Sequence, residues 1–221
     1  MYTTFLFDLD GTLTDPKEGI VNSVIYALRK MGIDEQDDKK LLSFIGPPIQ
    51  YSFASIYRMN EKQVTEAVTY YREYFQDKGM FENHVYEQIP NVLQDLKNAG
   101  KRLFVATSKP TIFAKQILEH FHLAHYFEEI VGSNLDGTRI AKTDIIQHIL
   151  HTYHDLEKGH VVMVGDREHD IIGAQQVGID SIGVMYGYGS KEELVAAGAT
   201  HIIEEVENIK KCVYVLEKID R

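Results

Sequence analysis

Short apolar runs alternate with amphipathic stretches along most of this chain. Thr4-Phe5-Leu6-Phe7, Leu103-Phe104-Val105-Ala106, Val161-Val162-Met163-Val164 and Ile182-Gly183-Val184-Met185 are near-continuous apolar blocks. Such blocks predict parallel strands covered on both faces. Glu129 to Gly132 and His201 to Ile203 are weaker candidates. Between the blocks, helical spacing predicts helices over Asn91–Ala99, Thr111–Phe121, Asp144–Tyr153 and Asp170–Val177, with Gly100 and Gly178 as stops. Strand and helix alternate from about residue 88 onward, which predicts an α/β fold with right-handed crossovers.

Residues 17 to 80 break that rhythm and offer no convincing strand. They predict helices over Lys17–Met31, near Asp37–Phe44 and over Glu61–Phe75, with a Gly46-Pro47-Pro48 kink in the middle. Tyr51, Phe53, Tyr57, Tyr70, Tyr71, Tyr74 and Phe75 are enough for a small core, mostly buried at helical spacing. An ordinary crossover of this length without strands is implausible, so the stretch reads as a helical subdomain inserted after the first strand.

Composition changes this picture little. The 221 residues are 44% hydrophobic and 25% charged, as in ordinary globular proteins. A net charge of −10 repels phosphate backbones and argues against nucleic-acid binding. The one cysteine, Cys212, excludes a disulfide framework. Met1-Tyr2-Thr3-Thr4-Phe5 leads to an acid at Asp8 without a basic start or an apolar stretch. No apolar run approaches a membrane span. The expectation is a soluble cytoplasmic protein without membrane or nucleic-acid partners, as a monomer or a homodimer.

The chemistry gathers at the strand ends. The first strand runs out into Asp8-Leu9-Asp10-Gly11-Thr12-Leu13, two carboxylates beside a glycine turn. Close like charges repel, and a divalent cation is a common remedy. The second apolar block leads into Thr107-Ser108-Lys109, hydroxyls and an amine, and Val161–Val164 leads into Gly165-Asp166-Arg167-Glu168-His169-Asp170. Lys142 stands just before a helical pattern. Ligands of open α/β sheets bind at the carboxyl ends of strands. If the strands are parallel neighbours, Asp8, Asp10, Thr107, Lys142, Asp166 and Asp170 converge on one rim.

Asp8-Leu9-Asp10-Gly11-Thr12-Leu13 resembles the first motif of the haloacid dehalogenase superfamily, Asp-x-Asp-Gly-Thr-Leu. Thr107 resembles its second motif, Lys142 its third, and Gly165-Asp166-x-x-x-Asp170 its fourth. Thr143 follows the lysine where proline is common. Length and the Gly46-Pro47-Pro48 loop look most like the branch of phosphoglycolate phosphatase-like and 5′-nucleotidase-like hydrolases. The resemblance implies a Rossmann-like three-layer core with a mainly parallel sheet over residues 1–15 and 82–221, and a helical cap over 16–81. It further implies a magnesium-dependent phosphatase acting on small phosphorylated metabolites. Asp8 would be the nucleophile and Asp10 the general acid/base. Thr107, Ser108 and Lys142 would bind the phosphoryl group, and Asp8, the Asp10 backbone carbonyl and Asp166 would hold Mg2+. Asp170 would act from the outer sphere, on a metal-bound water or on Lys142. An acid at position 10 points to phosphate monoesters, but sugar phosphomutases share it. A non-catalytic phosphate-binding module is the third reading, and it would not need the leaving-group acid.

Weaker signals have plain explanations. His148, His151 and His154 recur every third residue but lack a partner set for zinc, and His120, His122 and His125 read as helix-end residues. Arg167 reads as a salt-bridged rim residue, and the Gly46-Pro47-Pro48-Ile49-Gln50 loop reads either as a simple inter-helix turn or, as the resemblance implies, as a reader of the leaving group. Glu204-Glu205-Val206-Glu207 suits a helix N-terminus. Cys212 falls in an amphipathic pattern with Val213, Leu216 and Ile219, where packing is its default role.

Overall fold

Strand β1 (Thr4–Phe7) is the first apolar run, and all four of its residues are buried. The computed structural model describes residues 1–212. From β1 the chain leaves through β2 (Thr14–Asp15) into helices α1 (Lys17–Lys30), α2 (Asp38–Leu42), α3 (Ile49–Tyr57) and α4 (Glu61–Tyr74). A π-helical turn, Phe75–Gly79, follows, and the chain returns through β3 (His84–Val85), paired with β2. Then come α5 (Ile89–Asn98), β4 (Arg102–Pro110), α6 (Thr111–His120), β5 (Glu129–Ser133), α7 (Lys142–Thr152) and β6 (Val161–Gly165). The described chain ends with α8 (Glu168–Val177), β7 (Asp180–Val184), α9 (Lys191–Ala196), β8 (His201–Ile203) and α10 (Ile209–Cys212). Two compact units result, one of Met1–Thr14 with Val85 onward, the other of Asp15–His84.

In the α/β unit six strands pair in the order β5-β4-β1-β6-β7-β8. Every pairing is parallel. Phe7 stands level with Val105 of β4 and Val164 of β6, so Asp8 leaves β1 beside Ala106 and Gly165 of its two neighbours. Alternation divides the apolar side chains between two helical layers. Leu6, Phe104 and Met163 join Ile145, Ile146, Ile149, Ala174 and Val177 of α7 and α8 in one buried cluster. Strand β4 runs beyond its apolar block to Pro110, with a register shift against β5 between Ala106 and Pro110. Polar Thr107, Ser108 and Lys109 therefore lie within the strand, because pairing resumes at Pro110 with Ser133. Cys212 is buried in α10, while Val213, Leu216 and Ile219 lie outside the described residues.

The helical unit is built around phenylalanines. Phe44 and Phe53 meet edge to face at 5.0 Å, and Tyr71 stacks on Phe75 at 5.4 Å. Helix α3 lies where a loop was expected. Pro48 stands just before its first turn, where the missing N–H costs nothing, and Phe53 fixes its buried side. The expected tyrosine core is largely a tyrosine rim. Tyr71 is buried and Tyr51 is exposed. Tyr57, Tyr70 and Tyr74 are half-buried and donate to Glu35, Glu66 and Glu82, because a phenol packs its ring and keeps its hydroxyl where a partner can reach. A side chain on Gly19 would collide with the Gly79 carbonyl, so glycine at both positions lets α1 and the π turn touch backbone to backbone. Among the described residues no helix is long and apolar enough to cross a membrane.

Candidate active site

The turn after β1 places Asp8 directly beyond the sheet, and its backbone N–H pairs with the Val164 carbonyl at 2.9 Å. The Asp8 Oδ1 accepts from the Leu9 N–H at 2.8 Å and faces the Lys142 Nζ at 3.0 Å. Lys142 is the first residue of α7, not a residue before it. A cation at that helix end is unfavourable for the helix dipole, so something local must hold it. Its ammonium lies 2.7 Å from the Asp170 Oδ1 and donates to the Ala106 carbonyl at 2.9 Å. The Ala106 contact is a hydrogen bond, and those to Asp8 and Asp170 are ion pairs. Burial pulls its pKa down, but Asp170 and then Asp8 outweigh that and raise it to about 12. The lysine stem rests on Gly173, where an added Cβ would stand 2.9 Å from the Lys142 Cβ and Cγ.

Asp166 closes the other side. Its Oδ2 accepts from the Tyr188 N–H at 2.8 Å and its Oδ1 from the Thr12 hydroxyl at 3.3 Å. Gly11 and Gly187 press against it so closely that a Cβ on either would strike the side chain, and Gly11 adopts a φ of 82°. Tyr186 ties the same loop to the first turn, donating to the Thr12 carbonyl at 3.0 Å. The Asp170 Oδ2 accepts from the Arg167 N–H at 3.2 Å, while its buried Oδ1 is ion-paired to Lys142 and has no hydrogen-bond partner among the described residues.

Asp8, Asp166 and Asp170 each offer a carboxylate oxygen within 4.8 Å of the others, and all three residues are buried. Burial first, then the Asp170 and Asp8 charges, pushes the Asp166 carboxyl well above its ordinary range. Burial likewise raises Asp170 to about 6 against the pull of Lys142. One divalent cation would relieve this crowding, and an all-oxygen donor set suits a hard cation rather than zinc.

Asp10 has a separate partner. Its Oδ2 lies 2.6 Å from the Lys109 Nζ on β4, and both side chains are buried. Its Oδ1 is buried with no hydrogen-bond partner among the described residues. Burial raises the Asp10 pKa, with Lys109 opposing. Thr107 is buried at the same strand end, its Oγ1 accepting from the Lys109 N–H at 3.3 Å. Half-buried Ser108 uses its carbonyl to accept from the Ser133 hydroxyl at 2.8 Å.

Sequence reasoning recorded an amine at Lys109 but did not place it with Asp10. The only linear cue is a charged residue in the extension of an apolar strand. Arg167 pairs with Glu193 at 2.8 Å, a half-buried rim contact. The histidines do not join the cluster. His148 is half-buried, and His120, His122, His125, His151 and His154 are exposed. The Gly46-Pro47-Pro48 loop belongs to the helical unit, just before α3.

The family of haloacid dehalogenase-like hydrolases matches residues 5–184. A 5′-nucleotidase from Pseudomonas aeruginosa is 46% identical over 210 residues, 95% of each chain. The tyrosine-protein kinase PtkA of Mycobacterium tuberculosis is 37% identical over 204 residues, 92% of this chain and 69% of its own. The crystal structure of a predicted phosphatase from Clostridium acetobutylicum superimposes with a TM-score of 0.93 at 50% identity, covering 98% of this chain and 99% of that one.

Proposed function

This chain belongs to the haloacid dehalogenase-like hydrolases, and on that premise we propose that it is a Mg2+-dependent phosphatase of small phosphate monoesters, working through an aspartyl phosphate on Asp8. The observation that carries this reading is the grip on Asp8, held on Oδ1 by Leu9 and Lys142 within 4.8 Å of two further buried acids. A carboxylate fixed in that way is pre-oriented to attack phosphorus. Asp8, Asp166 and the Asp10 backbone carbonyl would hold Mg2+, which when bound supplies positive charge that screens an anionic nucleophile from an anionic ester. Asp170, ion-paired to Lys142 and bonded to the Arg167 N–H, acts from the outer sphere.

The chain's own residues do the rest. Asp8 attacks phosphorus and the bond to the alcohol oxygen breaks. Asp10 gives that oxygen a proton, then takes one from the water that hydrolyses the acyl phosphate. Thr107 and Ser108 bind the phosphoryl oxygens. Lys142, ion-paired to Asp8 and Asp170 and hydrogen-bonded to the Ala106 carbonyl, serves by holding the nucleophile and balancing its charge.

Nucleoside monophosphates are the first substrates to test, given the 46% identity to a 5′-nucleotidase. Phosphoglycolate follows, since a phosphoglycolate phosphatase from Vibrio cholerae is 24% identical over 217 residues. Phosphate release over a panel of monoesters, with Mg2+ and with EDTA, tests the activity. Mass spectrometry of the acid-quenched enzyme tests the intermediate. Phosphate on Asp8 is the expected result, and turnover without any phosphorylated aspartate would overturn the reading.

A further inference from the structure

We propose that Lys109 is a positioning residue for proton transfer by Asp10, fixing one carboxyl oxygen so that the other exchanges the proton. The inference rests on the acid/base reading of Asp10 given above. The two oxygens of Asp10 have unlike surroundings. Oδ2 is 2.6 Å from the Lys109 ammonium, in a pair whose side chains are only 5% and 12% exposed. Oδ1 is buried and has no hydrogen-bond partner among the described residues. An acid that hands over a proton and later recovers it needs one oxygen anchored and one that no protein donor occupies. This carboxyl group is arranged in that way.

The amine reaches Asp10 from a built position. The Lys109 N–H donates to the Thr107 Oγ1 at 3.3 Å. Its carbonyl packs against Gly132, where any side chain would collide with it. The register shift between Ala106 and Pro110 falls on this segment, and such irregularities re-aim side chains near active sites. Thr107 and the partner of Asp10 are thus set by one short piece of β4.

The proton accounting follows. As the phosphorus–oxygen bond to the alcohol breaks, its electron pair stays on the alcohol oxygen, which takes the proton from the Asp10 Oδ1. The carboxylate left behind already faces a cation on Oδ2, so no group need move to compensate it. In the second half, water attacks the acyl phosphate and gives its proton back to Oδ1, while the bond between phosphorus and the Asp8 oxygen breaks and returns its electrons to Asp8. Lys109 touches neither the phosphoryl group nor the water in this scheme. It acts through Asp10.

The test compares kcat/KM, which reports the step that expels the alcohol, on two esters. A p-nitrophenyl ester leaves without needing a proton, and an alkyl ester needs one. Asp10→Asn is expected to lose about 10²- to 10⁴-fold on the alkyl ester and far less on the aryl ester. Lys109→Met should repeat that asymmetry at about 10- to 100-fold on the alkyl ester, with partial recovery in Lys109→Arg. Adding Lys109→Met to Asp10→Asn should change neither value by more than about threefold, since residues that act as a unit are not additive. This double variant leaves no unpaired buried charge, so it remains informative even if Lys109→Met alone fails to fold. Equal losses on both esters, or full multiplication in the double variant, would overturn the role given to Lys109. Loss of the asymmetry in Asp10→Asn itself would instead overturn the acid/base reading of Asp10.

Discussion

Glu35 in the helical unit and Asp170 in the α/β unit each meet a lysine, Lys40 at 3.1 Å and Lys142 at 2.7 Å. Their carboxyl groups nonetheless shift in opposite directions. Glu35 is held down at about 2, first by the Asp37 N–H, then by Lys40, with Tyr57 and the Gln36 N–H adding to the pull. Its lysine is half exposed, but the Glu35 side chain is itself largely covered, so its several donors hold the charge. Asp170 is raised to about 6, because almost complete burial outweighs its lysine. A partner at hydrogen-bond distance therefore does not decide the sign. The number of donors set against the cost of burial does. The helical unit uses its charges to fasten a turn. The α/β unit concentrates charge where solvent cannot relieve it, and such clusters mark functional sites.

The largest expected effect tests that division directly. Asp8→Asn should lose at least about 10⁴-fold in kcat with the circular dichroism spectrum unchanged, whereas Glu35→Gln should leave kcat within about threefold. A steady-state assay of the two variants side by side decides it.

Metal removal comes next. At about 100 times its Kd, Mg2+ should stabilise the protein by about 2.7 kcal/mol, read as a higher Tm. Asp166→Asn should abolish that gain and raise the Tm of the metal-free protein, because one of three crowded charges is gone. A metal response that survives the substitution would move the cation elsewhere.

Gly173→Ala sharpens the comparison further. Alanine suits a helix interior better than glycine by about 1 kcal/mol, yet here the new methyl meets the Lys142 stem at 2.9 Å. The expected result is a net cost of about 1–3 kcal/mol in denaturant unfolding, with about a tenfold fall in kcat as Lys142 shifts. Unchanged kcat would mean the lysine tolerates displacement.

The smallest effect is in acid. A carboxyl group held below its ordinary value stabilises the fold fully above that value, here 4.5, and the contribution fades as pH falls toward about 2. The gap in Tm between wild type and Glu35→Gln should therefore narrow steadily below pH 4.5, with NMR of the Glu35 carboxyl following the same curve.

Much of this architecture is legible in the linear chain, for physical reasons that differ by residue. Thr4–Phe7 and Val161–Val164 declare themselves because strands buried on both faces need unbroken apolarity. Asp8, Asp10, Asp166 and Asp170 stand out because acids directly after such runs are costly without a purpose. Helix α3 was hidden by two prolines and by β-branched and aromatic residues with modest helix propensity. The contact between Lys109 and Asp10 joins positions far apart in the chain through adjacent strands, and no local pattern encodes it. The rim tyrosines were misjudged because spacing reports which side of a helix is covered, not whether a hydroxyl finds a glutamate.

The pairing of β2 with β3 has an evolutionary consequence. Departure and return of the Asp15–His84 excursion lie side by side, so the parent scaffold sees only a closed root. Lineages could lengthen, trim or exchange this graft without shifting the register of any of the six strands.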